Sequence, residues 1–253
     1  MNIDELREKC QSSRKKCDTW YGRNFARKIS IFITVLFVKI NLHAMTATTI
    51  FLLCGIMSSV MFFLGDKTSM LVGAVLLQFW YILDHVDGEV ARYNEESSLT
   101  GLYYDELVHY IVHPLVFFGI GLGLFRLNGN IIYVVTGIVS GLSIVLLGLI
   151  IDIKRLGVLE VICKNQKKSC NFFAIREDIS RNSFMRKFFS VIYATCTYPS
   201  IMNVITVSAI IDFLSGSLVI CYVLSAYSLL LIFVLTIRMS VFIVGRRVDM
   251  ECG

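Results

Sequence analysis

The chain has 253 residues, of which 56% are hydrophobic and only 17% charged, with two prolines. A soluble domain carries about 25% charged residues, so this composition, with its mean hydropathy of +0.69, excludes an ordinary soluble enzyme and a loop-rich fold. It describes an all-α, polytopic membrane protein, for which no nucleic-acid partner is expected.

The first segment, 1–44, opens with MNIDELREKCQSSRKKCDTWYGRNFARK. Basic, acidic and aromatic residues recur there at helical spacing, which predicts an N-terminal amphipathic interfacial helix with Trp20 and Tyr21 at headgroup level and lysines facing anionic membrane lipids. A solvated basic tail is the competing reading. ISIFITVLFVKINLHA follows, interrupted by Lys39, Asn41 and His43, and is expected to be a second interfacial piece.

Crossing about 30 Å of hydrocarbon takes about 20 apolar residues. That length predicts six transmembrane helices, at 45–65, 70–92, 99–125, 131–152, 187–211 and 217–237. Together they make a catalytic domain, 45–237, with a charged loop at 154–186 and a tail at 238–253. GDKTS, RLNGN and DFLSG are short turns on one side, and of the 24 Lys and Arg only Lys67 and Arg126 lie in them. Positive charge marks the cytoplasm, so both termini, the YNEESS connection and the 154–186 loop are placed there. Lys154 and Arg155 would suit an anionic acceptor or serve as plain loop charges. The eight cysteines contain no CxxC pair, which argues against a disulfide framework or a zinc knuckle.

The second and third spans carry the unusual chemistry. WYILDHVDGEVAR ends one and TGLYYDELVH opens the next. Successive helical residues turn by about 100°, so Asp84, Asp87, Gly88 and Ala91 share a face, as do Gly101, Asp105 and His109. A short connection makes the two helices antiparallel neighbours, and their acidic faces meet near the cytoplasmic side. Carboxylates in a span face a cavity, a partner or a metal. An oxygen-rich set suits Mg2+ or Mn2+, and an imidazole tilts the balance toward Mn2+ or a later metal. Arg92 adds a fork able to grip phosphate. A buried ion network that only joins helices is the bland alternative.

These residues resemble a family. Asp84, Asp87-Gly88, Ala91-Arg92, eight residues, Gly101 and Asp105 follow the pattern D-x2-D-G-x2-A-R-x8-G-x3-D-x3-D of the CDP-alcohol phosphotransferases, also called CDP-alcohol phosphatidyltransferases. The last position departs from it: His109 stands where the pattern has Asp. A family-like entry to the first span survives only as Thr46 in LHAMT.

The resemblance implies transfer of a phosphoalcohol, phosphatidyl by default, from a CDP-linked alcohol to an acceptor hydroxyl on a lipid or small polyol. CMP is released, and the setting is phospholipid biosynthesis. It implies that Asp84, Asp87, Asp105 and His109 hold Mg2+ or Mn2+, that Gly88, Ala91, Arg92, Gly101 and Thr46 line the substrate site, and that Asp105 and His109 are catalytic. A homodimer is implied as well. An imidazole with pKa about 6.5 is better matched to accept a proton near neutrality than a carboxyl at about 3.9. His109 is thus read as the base, as a ligand beside an Asp105 base, or as the mark of a binding-only relative. His85 and His113 either support the site or are packed residues. The alternatives to a phospholipid product are a glycan- or polyprenyl-linked acceptor and a divalent-metal transporter.

Overall fold

The computed structural model describes residues 3–12, 19–164 and 198–244, and among them the regular structure is helical throughout. Helices α1 (Ile3–Gln11), α2 (Arg27–Lys39), α3 (Ala44–Leu64), α4 (Lys67–Tyr93), α5 (Leu99–Asn128), α6 (Ile132–Lys164), α7 (Tyr198–Ser215) and α8 (Val219–Val244) follow in chain order. A π-helical turn, Gly22–Ala26, leads into α2. Among the described residues, five helices are long and apolar enough to cross a membrane: α3, α4, α5, Ile132–Ile153 of α6 and Val219–Ile237 of α8. The apolar α7 is shorter, and residues 187–197, where the fifth span was expected to begin, lie outside the described residues. So do 165–186 of the basic loop and 245–253 of the tail. The fourth span, expected at 131–152, is the apolar stretch Ile132–Ile153, but its helix runs on to Lys164, into the segment expected as loop.

Local chemistry sets the boundaries that matter. Gly65, at φ +88°, ends α3 in the left-handed conformation that glycine tolerates. Asp66 then caps α4 by accepting from the Ser69 backbone N–H. Ser98 caps α5 in the same way, through the Gly101 N–H. Between α4 and α5, Glu95 takes φ +58°, and Asn41 takes φ +52° between α2 and α3. The two corners are joined: Asn94 Nδ2 donates to Leu42 O, and Glu96 accepts from the Ala44 N–H at 2.9 Å and meets His43 Nδ1 at 2.7 Å.

Helix α3 packs against both α4 and α5, α5 against α6, α6 against α8, and α4 against α7 and α2. Small residues permit the closest crossings. A Cβ at Gly55 would fall 2.6 Å from Val112 and 2.7 Å from Trp80 Nε1, and one at Gly119 would fall 2.5 Å from the Ser59 carbonyl. Helix α2 buries polar residues alongside the apolar Ile31, Phe37 and Val38. Arg27, Ser30 and Thr34 are buried toward α4, whereas Phe32, Leu36 and the following Ile40 are exposed.

Candidate active site

The last turns of α4 and the first turns of α5 bring the expected faces together. His109 Nε2 lies 3.1 Å from Asp84 Oδ1 and 3.5 Å from Asp105 Oδ1. One ligand atom from each of Asp84, Asp105 and His109 lies within 4.8 Å of the others. Asp105 Oδ1 is buried and, among the described residues, accepts no close hydrogen bond, with only the longer 3.5 Å contact to His109 Nε2, an expensive state for a carboxylate oxygen unless a cation faces it. Two carboxylates and one imidazole, one oxygen among them left unsatisfied, fit a divalent cation.

Asp87 stands outside that triangle. It is buried, and its Oδ2 accepts from Thr48 Oγ1 at 3.1 Å. The threonine in contact with the acidic face is therefore Thr48; Thr46, singled out from the sequence, is exposed and contributes its backbone N–H to the first turn of α3. The spacing of Ala44, Thr48 and Phe51 along α3, one helical face pointing to α4, was the signal available for it.

An aromatic wall fixes the imidazole. Phe51 and Trp80 stack at 4.7 Å, and both meet the edge of His109 at 5.4 Å. Trp80 and Phe51 are fully buried. His113 Nε2 approaches His109 Nδ1 at 3.4 Å, so the other ring nitrogen, Nε2, faces the carboxylates. His85 Nδ1 sits 3.7 Å from Asp84 Oδ2 and 2.9 Å from the Tyr81 carbonyl. Both histidines weighed as supports from sequence thus stand beside the site.

Gly88 and Arg92 form a unit one helical turn long. A Cβ at Gly88 would lie 3.2 Å from Arg92 Nη1 and 3.5 Å from Nη2, so the guanidinium folds over the bare glycine. Arg92 Nε donates to the Cys10 carbonyl at the end of α1. Ala91 is half-buried and its carbonyl accepts from Glu96 N–H. Gly101 supplies the N–H that Ser98 caps.

Two features had no sequence signal. One is a cleft of about 160 Å³ between α5 and α6, lined by His109, Tyr110, His113, Gly148 and Asp152 among others. Tyr110 Oη donates to Asp152 Oδ2 at 2.5 Å across it, and Gly148 leaves room for the tyrosine, whose hydroxyl would be 3.1 Å from a Cβ there. The other is Glu89, completely buried and surrounded by donors from α1 and α2.

The family model described as CDP-alcohol phosphatidyltransferase matches residues 41–175, more than half of the chain and all of the α4–α5 cluster. Among curated proteins none matches.

Proposed function

This chain belongs to the CDP-alcohol phosphatidyltransferase family, and on that premise we propose that it transfers a phosphoalcohol group from a CDP-alcohol to an acceptor hydroxyl at the α4–α5 cluster, releasing CMP. The observation that carries this reading is Asp105 Oδ1, buried without a close hydrogen bond and facing His109 Nε2 beside Asp84. Asp84 and Asp105, with Asp87 adjoining, would hold Mg2+ or Mn2+, which when bound neutralises the donor's diphosphate and favours departure of CMP.

The chain's own residues do the rest. Arg92 presents two N–H-bearing nitrogens over Gly88 to the diphosphate. His109 accepts the acceptor's hydroxyl proton as the oxygen attacks the alcohol-bearing phosphorus. The bond from that phosphorus to the bridging oxygen breaks, and CMP leaves with the electron pair. Phe51 and Trp80 pack against the imidazole in T-shaped contacts and hold its orientation; such fixed geometry is worth more than proximity alone. The acceptor hydroxyl enters from the α5–α6 cleft, which reaches His109.

A membrane lipid is the acceptor or product class we favour. The apolar outward face of α2 and exposed Trp20 support an interfacial N-terminus, and the charge pattern supports a cytoplasmic site. The test is CMP release by purified protein from CDP-diacylglycerol and from soluble CDP-alcohols, with lipid extract as acceptor, in Mg2+, Mn2+ or EDTA. Release from one donor that stops in EDTA is the expected result. Silence with every donor, from protein that binds no CDP, would refute the proposal.

A further inference from the structure

The N-terminal helix touches the donor side of the cluster, and its contacts are too specific for a passive anchor. The last turn of a helix leaves carbonyls without intrahelical partners and carries partial negative charge. At the end of α1, the Cys10 carbonyl takes Arg92 Nε as its donor. Lys9 Nζ donates to the Tyr93 carbonyl at 3.0 Å, tying the same turn to the residue after Arg92.

The next residue fastens α1 from below. Gln11 Nε2 donates both to Glu89 Oε1 at 2.8 Å and to the Arg27 carbonyl at 2.9 Å. Glu89, one turn before Arg92, also accepts from Ser30 Oγ at 2.7 Å, Thr34 Oγ1 at 2.7 Å and Arg27 Nη1 at 3.3 Å. A carboxylate buried this completely is held in one orientation, because losing any partner leaves charge unsatisfied. Glu89 therefore fixes Gln11, Gln11 fixes the end of α1, and the Cys10 carbonyl fixes Nε of Arg92. With Nε held on one side, the two terminal nitrogens are turned over Gly88, toward the face shared with Asp84 and Asp87.

We propose that α1 is part of the donor site, and that Gln11 and Glu89 are positioning residues that aim the Arg92 fork at the diphosphate of a cytidine nucleotide. This rests on the transferase reading of the cluster. It makes nucleotide affinity depend on a helix that shares no residue with the 84–109 motif.

The experiment is equilibrium binding of CDP, with Mn2+, to full-length protein in detergent. Gln11→Met keeps the side chain's bulk and removes only its amide. It should weaken CDP binding about tenfold, the order of one well-placed hydrogen bond. Added to Arg92→Ala, it should cost nothing more, because a positioning residue acts only through the group that it positions. Lys9→Ala, at an exposed and undemanding site, should weaken binding in the same direction by less. Unchanged CDP affinity in both variants overturns the inference. So does a Gln11→Met loss equally large with and without Arg92, which would make the contact merely structural. Wild-type protein that binds no CDP would instead refute the transferase reading itself.

Discussion

Asp105→Asn keeps shape and removes one charge, and the structure gives its consequences opposite signs with and without metal. The candidate ligand oxygens of Asp84 and Asp105 are no more than 4.8 Å apart. At an effective dielectric near 20, two unit charges at that distance repel by about 3 kcal/mol. Exposure of 33% of the Asp105 side chain lowers that figure, and the 3.5 Å contact with His109 returns part of it. A net relief of about 1–2 kcal/mol is left, which raises the melting temperature of a chain this long by about 2–8 °C. In EDTA, therefore, the variant should melt above the wild type. A saturating cation reverses the order: at a hundred times its Kd it stabilises the wild type by about 2.7 kcal/mol and the variant hardly at all. The assay is thermal unfolding in detergent across a Mn2+ titration, with CMP release measured in parallel. An Asp105→Asn protein that gains as much from Mn2+ as the wild type, or that still turns over, would refute the metal-site assignment.

Three other outcomes are expected. His109→Ala should slow CMP release about 10²–10⁴-fold, the usual cost of losing a general base; an unaffected rate would place proton transfer elsewhere. Gly55→Ala should lower stability by about 1–3 kcal/mol through overpacking and slow turnover as well, since the new methyl meets Trp80, which bears on His109. The Glu96 carboxyl is held below its ordinary value chiefly by the Ala44 backbone N–H and then by His43. Its contribution to stability is therefore complete at neutral pH and is lost as pH falls through its lowered folded value. Melting temperature measured from pH 7 downward should show an acid-side loss that is smaller in Glu96→Gln, and equal losses in the two proteins would count against the cap.

The cluster was legible because it is local. Asp84 lies on one helix, Asp105 and His109 on the next, and a connection too short to wander forces them together, so helical periodicity alone predicts that contact, though Asp87, expected with them, faces Thr48 instead. Helix identities in the apolar stretches were legible for a similar reason: length and hydropathy leave few choices in a membrane. What stayed hidden depends on partners far along the chain. Glu89 looks like one more charge in a busy stretch until Gln11, 78 residues away, and Thr34, 55 residues away, reach it. Thr46 was chosen from a motif remnant, whereas the contact is made by Thr48, two positions on and about 200° around the helix. The extension of α6 past the apolar stretch was missed because hydropathy marks where a helix may leave the bilayer and says nothing of where it unwinds.

The wall behind His109 has an optical consequence. The protein has two tryptophans; Trp20 is 77% exposed, while Trp80 is fully buried with its indole against the edges of His109 and His113. A protonated imidazole in contact with indole quenches its emission, and one whose lone pair is engaged by a cation quenches differently. With Trp20 replaced by phenylalanine, the remaining tryptophan fluorescence would come from a single indole touching the residue proposed to take the proton. The charge state of that residue could then be followed by light, in real time and without a labelled substrate.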